Sequence, residues 1–184
     1  MKEIRTPSTQ HHTVIIDLVK RYGWTRGAEV GVLKGKTLDL SLAQCLHLHL
    51  YAVDQWAVLP PDEQEGHETY ERFDMVRAEA MVRAVADRYP TRCTILKGDS
   101  VVMADQVCAE SLDYIFIDAL HTTEATIANI RAWAPKVKAS GYIMGHDWWW
   151  DSVRAALDET LTGWQEHSES VWSLPKADYQ GVAV

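Results

Sequence analysis

The sequence predicts a single α/β domain in which helices cover both faces of a mostly parallel sheet. Three observations lead to this prediction. The chain has 184 residues, which is close to the size of one domain with a full core. Short apolar segments alternate with segments that carry apolar residues at helical spacing. Hydrophobic residues make up 47% of the chain and charged residues 24%, which is ordinary for a globular protein and excludes intrinsic disorder.

The first half of the chain is predicted to alternate helices with two buried strands. The first helix is amphipathic and stops at Gly23, a residue that commonly ends helices. The predicted elements are, in order, a helix over 14–22, a strand over 28–32, a loop over 31–35, a helix with Leu38, Leu42, Cys45 and Leu46 on its apolar face, a strand over 48–53, an exposed loop over 62–69 and a helix that ends at Arg88.

The second half continues the alternation and brings the predicted number of strands to seven. Its elements are, in order, a strand over 94–97, a helix over 100–109, a strand over 113–117, a helix over 122–133, a strand over 141–145, a helix that carries Val153, Leu157 and Leu161, and two tail strands over 166–174 and 179–184. Strands that alternate with helices in this way predict a parallel sheet with helices on both faces.

Composition excludes several classes of protein. The chain has 26 acidic residues against 18 Lys and Arg, and its net charge of -8 opposes attraction to phosphate backbones. We therefore expect no nucleic-acid partner. The first twelve residues are polar and no apolar run approaches the roughly 20 residues of a membrane span, so we expect a soluble, cytoplasmic protein. Three cysteines without CxxC spacing predict neither a disulfide framework nor a zinc-thiolate site.

Carboxylates mark the ends of the predicted strands, where open α/β sheets bind their ligands. Glu29 lies within the first strand and Asp54 ends the second. Asp99 follows the third strand, Asp118 ends the fourth, and Asp147 follows the fifth. Such a ring of carboxylates suits a cationic, hydroxyl-rich ligand better than a phosphate.

Two phosphate-binding motifs are only partly matched after the first strand. A dinucleotide fingerprint needs a second glycine where Leu33 stands, and a side chain there would block close approach of a pyrophosphate. The segment from Gly31 to Thr37 is one residue shorter than a nucleotide-binding phosphate loop, with 114–118 as its magnesium-binding strand. A nucleotide hydrolase therefore stays as an alternative.

The ordered set of strand-end motifs resembles the class I S-adenosylmethionine-dependent methyltransferases. The segments 115–121, 132–135 and 140–148 are similar to the small O-methyltransferase-like branch that includes metal-dependent sugar and natural-product enzymes. The resemblance covers Arg26 to Trp148 and implies a Rossmann-like sandwich. One departure is Ala119-Leu120, where the family more usually has Gly-Asp. The wider motifs are Glu29-Val-Gly31 with Gly35, then Asp54, Gly98-Asp99-Ser100 and Asp118.

The resemblance implies that S-adenosylmethionine binds at these strand ends. This cofactor presents an ammonium, a sulfonium and a ribose diol, and a carboxylate can accept two donors at once. Glu29 would serve the methionine end and Asp54 the ribose hydroxyls, whereas ordinary solvation of a strand end is the alternative for both. The implied cofactor-binding residues are Glu29, Gly31, Gly35, Asp54, Asp99, Ser100 and Asp118, with Asp99 and Ser100 near the adenine.

The resemblance also implies a catalytic centre after the fourth and fifth strands. Asp118, His146 and Asp147 would surround a divalent ion, and His121 would act with Asp118 as a general base on the acceptor hydroxyl. Magnesium prefers oxygen ligands, so the imidazole of His146 leaves Mg²⁺, a softer metal or no metal open. Capping of the following helix is the alternative for His121 and for Asp147.

Several aromatic and histidine residues have no assigned chemistry. The three tryptophans at 148–150 either form an acceptor wall or pack a helix onto the sheet. Trp56, His67 and Tyr70 belong to a segment, 55–90, that we expect to act as a lid. The remaining histidines show no ligand spacing, and we expect them at the surface or with satisfied hydrogen bonds: His11, His12, His47, His49, His67 and His167.

The leading prediction is a cytoplasmic S-adenosylmethionine-dependent methyltransferase that acts on oxygen in a small molecule. Residues 1–184 would form one domain, with an N-terminal helix within 1–25. The fourth strand lacks the Asn/Asp-Pro-Pro-aromatic pattern of DNA amino-methyltransferases, which also disfavours nucleic acid. A homodimer is implied by resemblance alone. The second hypothesis is a non-catalytic module that binds the cofactor or a partner.

Overall fold

The structure, a computed structural model, describes residues 10–58 and 74–181. Its strands are β1 (Arg26–Val30), β2 (His49–Asp54), β3 (Cys93–Lys97), β4 (Leu112–Ile117), β5 (Val137–Gly145), β6 (Gln165–Glu166) and β7 (Trp172–Pro175). They form one seven-stranded sheet in the order β3-β2-β1-β4-β5-β7-β6. The expected loop over 62–69 lies outside the described residues.

The first five strands are parallel, and β7 and β6 run antiparallel to their neighbours. Val30 pairs with both Val53 and Ile117, so the carboxyl ends of β1, β2 and β4 reach the same edge of the sheet. The chain turns from β1 to β2 on one side and later to β4 on the other. This reversal makes the edge above β1 and β4 the expected place for a ligand.

Helices cover both faces of the sheet, as predicted. They are α1 (His11–Tyr22), α2 (Lys36–Gln44), α3 (Met75–Arg88), α4 (Ser100–Met103), α5 (Thr123–Trp133) and α6 (Asp151–Thr160). Buried residues of α1, α2 and α3 pack with Phe116 on one face. Buried residues of α5 and α6 pack with Ile115 on the other face. Because neighbouring residues of β4 point to opposite faces, one strand contributes to both cores.

The end of α1 follows directly from the sequence. Gly23 has φ +66 and occupies the C-cap position, where glycine adopts the left-handed conformation without steric cost. Within residues 10–58 and 74–181, no helix combines the length and the apolar character needed to cross a bilayer.

The predicted helix over 100–109 is wrong beyond its first turns. Helix α4 ends at Met103 and a 3₁₀ turn over Ala104–Gln106 follows. The backbone N–H groups of Glu110 and Ser111 donate to the carbonyls of Pro135 and Lys136. These long-range hydrogen bonds draw the chain out of the helix and into β4.

Two further expectations need correction. Helix α2 ends at Gln44, so Leu46 does not lie on its apolar face and is 70% exposed. The expected strand over 166–174 is instead a pair of antiparallel strands, β6 and β7, with Glu169 and Ser170 at positive φ between them. Tyr179 lies outside any strand, and 182–184 are not among the described residues. A Glu-Ser pair is an unusual left-handed turn sequence, so the turn gave no signal.

Candidate functional site

The carboxyl ends of β4 and β5 bring two carboxylates and two imidazoles together. Nε2 of His121 lies 3.1 Å from Oδ2 of Asp147 and 3.7 Å from Oδ1 of Asp118. Nδ1 of His146 lies 3.2 Å and 3.5 Å from the same two oxygens. Each carboxylate oxygen is therefore shared by two rings. The structure thus places the predicted catalytic and metal residues in one cluster.

The tautomer of His146 follows from its other nitrogen. Nε2 lies 3.0 Å from the carbonyl oxygen of Glu169, which can only accept a hydrogen bond, so Nε2 carries hydrogen. In the neutral ring, Nδ1 then presents a lone pair to the carboxylates of Asp118 and Asp147. Three acceptors that face each other require a positive charge between them, supplied by a proton or by a metal ion.

The charges of the cluster follow from these contacts. Burial opposes a charged ring at His146, but hydrogen bonds to Asp118 and Asp147 outweigh it and raise the pKa of His146 to about 10. Burial likewise opposes a charge on Asp118, yet hydrogen bonds from His121 and His146 hold the pKa of Asp118 far below its usual range. The same two imidazoles, again against burial, lower the pKa of Asp147. Both carboxylates are therefore ionised.

The capping alternatives for His121 and Asp147 are wrong. The N-cap of α5 is Thr122, whose hydroxyl accepts the N–H of Ala125 at 3.1 Å. The N-cap of α6 is Trp150. Asp147 instead has φ +56, a conformation that non-glycine residues rarely adopt. Strained backbone of this kind concentrates at functional sites.

Two of the three neighbouring tryptophans support the cluster. The indole N–H of Trp149 donates to Oδ1 of Asp147 at 3.2 Å. The ring of Trp150 stacks on His121, with ring centroids 4.9 Å apart. Trp148 instead packs against the core next to Trp164. Trp148 and Trp150 therefore pack against the core, one of the two expected roles, and Trp149 and Trp150 contact the site. The acceptor wall stays a prediction.

His11 was missed by the sequence analysis. Its side chain is only 15% exposed, and Nε2 lies 3.8 Å from Oδ2 of Asp118. Of the two expectations for this histidine, the surface position is wrong, whereas Nε2 has a hydrogen-bond partner in the hydroxyl of Thr37. Burial lowers the pKa of His11, which favours the neutral ring. A signal was present, because His11 stands four and seven residues before Ile15 and Leu18 on the buried face of α1.

Three other histidines of the described chain agree with the expectation. His47 and His49 are exposed, as expected. Nε2 of His167 lies 2.7 Å from the hydroxyl of Ser173, so its hydrogen bonding is satisfied, again as expected. His67 and Tyr70, two of the expected lid residues, lie outside the described residues. The lid itself stays a prediction.

Two overlapping sets of side chains could hold a metal ion. One is His11, Asp118 and His146, and the other is Asp118, His121 and Asp147; within each set the donor atoms all lie within 4.8 Å of one another. Imidazole nitrogen suits Zn²⁺, Fe²⁺ and similar ions, whereas Mg²⁺ prefers oxygen ligands. The donor chemistry therefore fits a transition-metal ion better than Mg²⁺.

The loop after β1 lies against this cluster. Gly31 has φ +90, and a Cβ atom built on it would lie 2.1 Å from the backbone oxygen of Asp118. Gly35 has φ +74 and occupies the N-cap position of α2. At Gly31, only glycine permits both the positive φ and the close approach of the loop to the end of β4. The glycine loop and the cluster therefore form one continuous edge.

Asp54 fixes the same loop and decides against the phosphate-binding alternative. Oδ2 of Asp54 accepts the backbone N–H groups of Val32 and Leu33, and Oδ1 accepts that of Trp56. The loop amides that a phosphate would need are thus bound by a carboxylate. The indole of Trp56 donates to the carbonyl of Leu33, so this expected lid residue is buried against the loop.

Comparison with known proteins identifies the fold and the family. The family model described as "Methyltransferase domain" matches residues 28–148, more than half of the chain. The chain belongs to this methyltransferase family. The match confirms the predicted S-adenosylmethionine-dependent methyltransferase class. No curated protein matches the chain.

Solved structures show the same fold at low sequence identity. Cofactor-bound Rv0187 from MTB has a TM-score of 0.63 and 14% identity, over 96% of this chain and 84% of that chain. An O-methyltransferase from Bacillus cereus in complex with SAH has a TM-score of 0.60 and 15% identity, over 92% and 82%. CalS11, a TDP-rhamnose 3'-O-methyltransferase of calicheamicin biosynthesis, has a TM-score of 0.62 and 15% identity, over 90% and 79%. The predicted Rossmann-like sandwich is confirmed.

The expected cofactor residues of this methyltransferase lie along the same edge. Glu29 is 6% exposed, which rules out ordinary solvation of a strand end. Burial, followed by repulsion from Asp118 and Asp54, raises the pKa of Glu29 well above its usual value. Asp99 accepts the N–H of Val102 as the N-cap of α4, and Ser100 donates to Asn129 at 2.6 Å. The cofactor contacts of all these residues stay predictions.

Proposed function

We propose that this methyltransferase transfers a methyl group from S-adenosylmethionine to a hydroxyl oxygen of a small molecule. The observation that carries the proposal is the cluster of Asp118, His121, His146 and Asp147 directly beside the glycine loop. An imidazole held by carboxylates can accept the proton of a hydroxyl. The O-methyltransferases with the same fold, including one named for TDP-rhamnose, support an acceptor of this class.

The proposed cofactor site uses the buried edge above β1 and β2. Burial raises the pKa of Glu29 and so favours its uncharged form, whereas a cationic ammonium nearby would favour the carboxylate form. A carboxylate has about four acceptor positions, and Asp54 already uses three for loop amides. We therefore assign one ribose hydroxyl to Asp54 rather than both. Asp99 and Ser100 would lie near the adenine.

The proposed chemistry divides the work among the clustered residues. S-adenosylmethionine, when bound, supplies an electrophilic methyl group, and a divalent ion held by Asp118, His146 and Asp147 would stabilise negative charge on oxygen. His121 takes the acceptor proton while the oxygen bonds to the methyl carbon and the carbon–sulfur bond breaks. Asp147 orients the ring of His121 and stabilises its charged form. Trp150 holds that ring by stacking.

Calorimetric titration with S-adenosylmethionine tests the cofactor assignment, with ATP as the control ligand. We expect micromolar binding of S-adenosylmethionine and no binding of ATP, since Asp54 occupies the loop amides. Labelled cofactor with a panel of sugar and phenolic hydroxyls then tests the reaction. His121→Ala should retain cofactor binding and lose about 100-fold or more in rate, whereas His49→Ala, at an exposed position, should match wild type.

Each alternative has its own outcome in these experiments. Binding without transfer to any acceptor, unchanged by His121→Ala and by Asp118→Asn, would favour a non-catalytic module. Transfer only to nucleic acid would overturn the choice of a small acceptor. Binding of ATP alone would overturn the cofactor assignment.

A further inference from the structure

The first helix contributes a ring to the catalytic edge that the proposed chemistry does not use. His11 begins α1, and its ring stacks on Phe116 with centroids 5.5 Å apart. Its centroid lies 4.4 Å from that of His146. The hydroxyl of Thr37 lies 2.7 Å from Nε2 of His11. Contacts to α2 and β4 therefore hold this ring at the cluster rather than in solvent.

Asp118 links His11 to the rest of the cluster. Its Oδ1 faces His121 and His146, whereas its Oδ2 lies 3.8 Å from Nε2 of His11. One carboxylate thus has imidazoles on both of its oxygens. Among the described residues, Nδ1 of His11 is buried and has no hydrogen-bond partner.

Two imidazoles and one carboxylate compose the set of His11, Asp118 and His146, whose donor atoms lie within 4.8 Å of one another. Some catalytic zinc sites and non-haem iron sites use the same combination of two imidazoles and one carboxylate, and they leave positions open for substrate. His146 also donates its second N–H to the carbonyl of Glu169. Metal-bound histidines almost always make such a bond, which aims the other nitrogen at the ion.

The donor atoms of this set lie somewhat farther apart than the ligands of a bound ion. Ligand atoms about 2.1 Å from an ion lie roughly 3.0 to 3.4 Å apart, from octahedral to tetrahedral geometry. In the proposed set, Nδ1 of His146 lies 3.5 Å from Oδ1 of Asp118, and Nε2 of His11 lies 3.8 Å from Oδ2 of the same carboxylate. Small side-chain shifts would bring these atoms to an ion.

We propose that His11 is a metal ligand and that the centre selects a transition-metal ion, such as Zn²⁺ or Co²⁺, over Mg²⁺. The inference deepens the proposed function, because it names the ion and an additional ligand of the same site. Imidazole adds affinity for the later divalent metals and little for Mg²⁺, which is reluctant to exchange water for nitrogen. The N-terminal helix is then part of the catalytic centre.

Cobalt provides a direct readout, because the visible absorption of bound Co²⁺ reports its ligands and geometry. The purified full chain is stripped of metal and titrated with Co²⁺, Zn²⁺ and Mg²⁺ by absorption and calorimetry. His11→Phe keeps an aromatic ring against Phe116 but removes both nitrogens, and His11→Ala removes the ring as well. His12→Ala, on the same helix, is the matched control because His12 belongs to neither metal-binding set.

We expect wild type and His12→Ala to bind Co²⁺ and Zn²⁺ at least about 100-fold more tightly than Mg²⁺. Both His11 variants should bind Co²⁺ and Zn²⁺ at least about 10-fold more weakly, because outer-shell changes alone cost about 10- to 100-fold. The Co²⁺ spectrum should change in both. Circular dichroism and S-adenosylmethionine binding should stay at wild-type levels, since His11 lies outside the proposed cofactor residues.

Several results would overturn the proposal. Unchanged Co²⁺ affinity and spectrum in His11→Phe would show that His11 only packs against β4. Equal affinity for Mg²⁺ and Zn²⁺ would contradict the selectivity. No metal binding by wild type, with S-adenosylmethionine bound normally, would remove the metal centre and leave the methyltransferase proposal intact. Metal binding without binding of S-adenosylmethionine would support the metal centre and overturn the methyltransferase proposal.

Discussion

Asp118 is the residue on which the site converges. Its two carboxylate oxygens face imidazoles from three segments of the chain, and its backbone oxygen lies against Gly31. The end of β4 therefore positions both the proposed proton chemistry and the glycine loop. Substitutions of the clustered histidines or of Gly31 should therefore alter the position of Asp118.

Gly31→Ala should destabilise the protein strongly. Its Cβ would lie 2.1 Å from the backbone oxygen of Asp118, and its φ of +90 is unfavourable for alanine. Overpacking and backbone strain together predict a loss of about 3 kcal/mol or more in the free energy of unfolding. Urea denaturation measures this loss.

Gly163→Ala is the control for that substitution. Gly163 also has positive φ, +80, but a Cβ there would meet no described atom within 4 Å. We expect a loss of about 1 kcal/mol from backbone strain alone. Equal losses at the two positions would show that the approach of Gly31 to Asp118 is unimportant.

The pKa of His146 predicts how stability depends on pH in the metal-free protein. Its folded value of about 10 exceeds the ordinary value of 6.5. The stabilisation from this group is therefore complete below pH 6.5 and is lost as pH rises through about 10. We expect a contribution on the order of 5 kcal/mol. Urea denaturation in EDTA at about pH 6, 8 and 9.5 measures it.

His146→Gln isolates this effect, because glutamine can still donate to the carbonyl of Glu169 but does not titrate. The difference in stability between wild type and His146→Gln should shrink as pH rises across that window. A difference that stays constant from pH 6.5 to 10 would contradict the proton between His146 and the carboxylates.

At the scale of elements, the N-cap of α5 lies next to a proposed catalytic residue. Thr122 caps α5, and His121 stands immediately before it. The imidazole of His121 lies beside Asp147 and does not cap the helix. We therefore expect the hydroxyl of Thr122 to contribute to the stability of α5.

Thr122→Ala should cost about 1 kcal/mol in the free energy of unfolding, a typical value for the loss of an N-cap. Thr122→Ser retains a hydroxyl and should restore most of this stability. Thermal denaturation of both variants measures the effect. A full loss with serine would mean that the methyl group of Thr122, rather than its hydrogen bond to Ala125, stabilises α5.

At the scale of the whole molecule, the proposed cofactor site lies at an edge of the sheet that β1, β2 and β4 form together. A cofactor bound there contacts only the folded chain and must stabilise it. At about 100 times its Kd, S-adenosylmethionine should add about 2.7 kcal/mol. For a chain of this size, this corresponds to a rise in Tm of roughly 5 to 10 °C.

Differential scanning fluorimetry measures that rise, with ATP at the same concentration as the control. Glu29→Gln should reduce the rise because it removes the proposed partner of the cofactor ammonium. An equal rise with ATP, or a full rise in Glu29→Gln, would contradict the assignment of this edge to S-adenosylmethionine.

The sequence by itself determined the fold class and the edge of the sheet at which the site lies. Apolar periodicity, Gly23 and the alternation of strands with helices predicted a parallel sandwich, because burial and backbone conformation act over a few residues. Carboxylates at strand ends predicted a ligand site at one edge of the sheet, because parallel strands end there. The grouping of Asp118, His121, His146 and Asp147 was implied by the family resemblance. The glycine loop was also predicted from its residues.

Only the tertiary structure decided which side chains meet. His11 precedes Asp118 by more than one hundred residues, and no local pattern relates the two. The hydrogen bonds of Glu110 and Ser111 to Pro135 and Lys136, and the pairing of β7 with β5, likewise join segments that are distant in sequence. Local sequence determines periodicity and turns, whereas contacts between distant segments depend on how the helices pack on the sheet. The centre therefore acquired its third imidazole through the packing of α1.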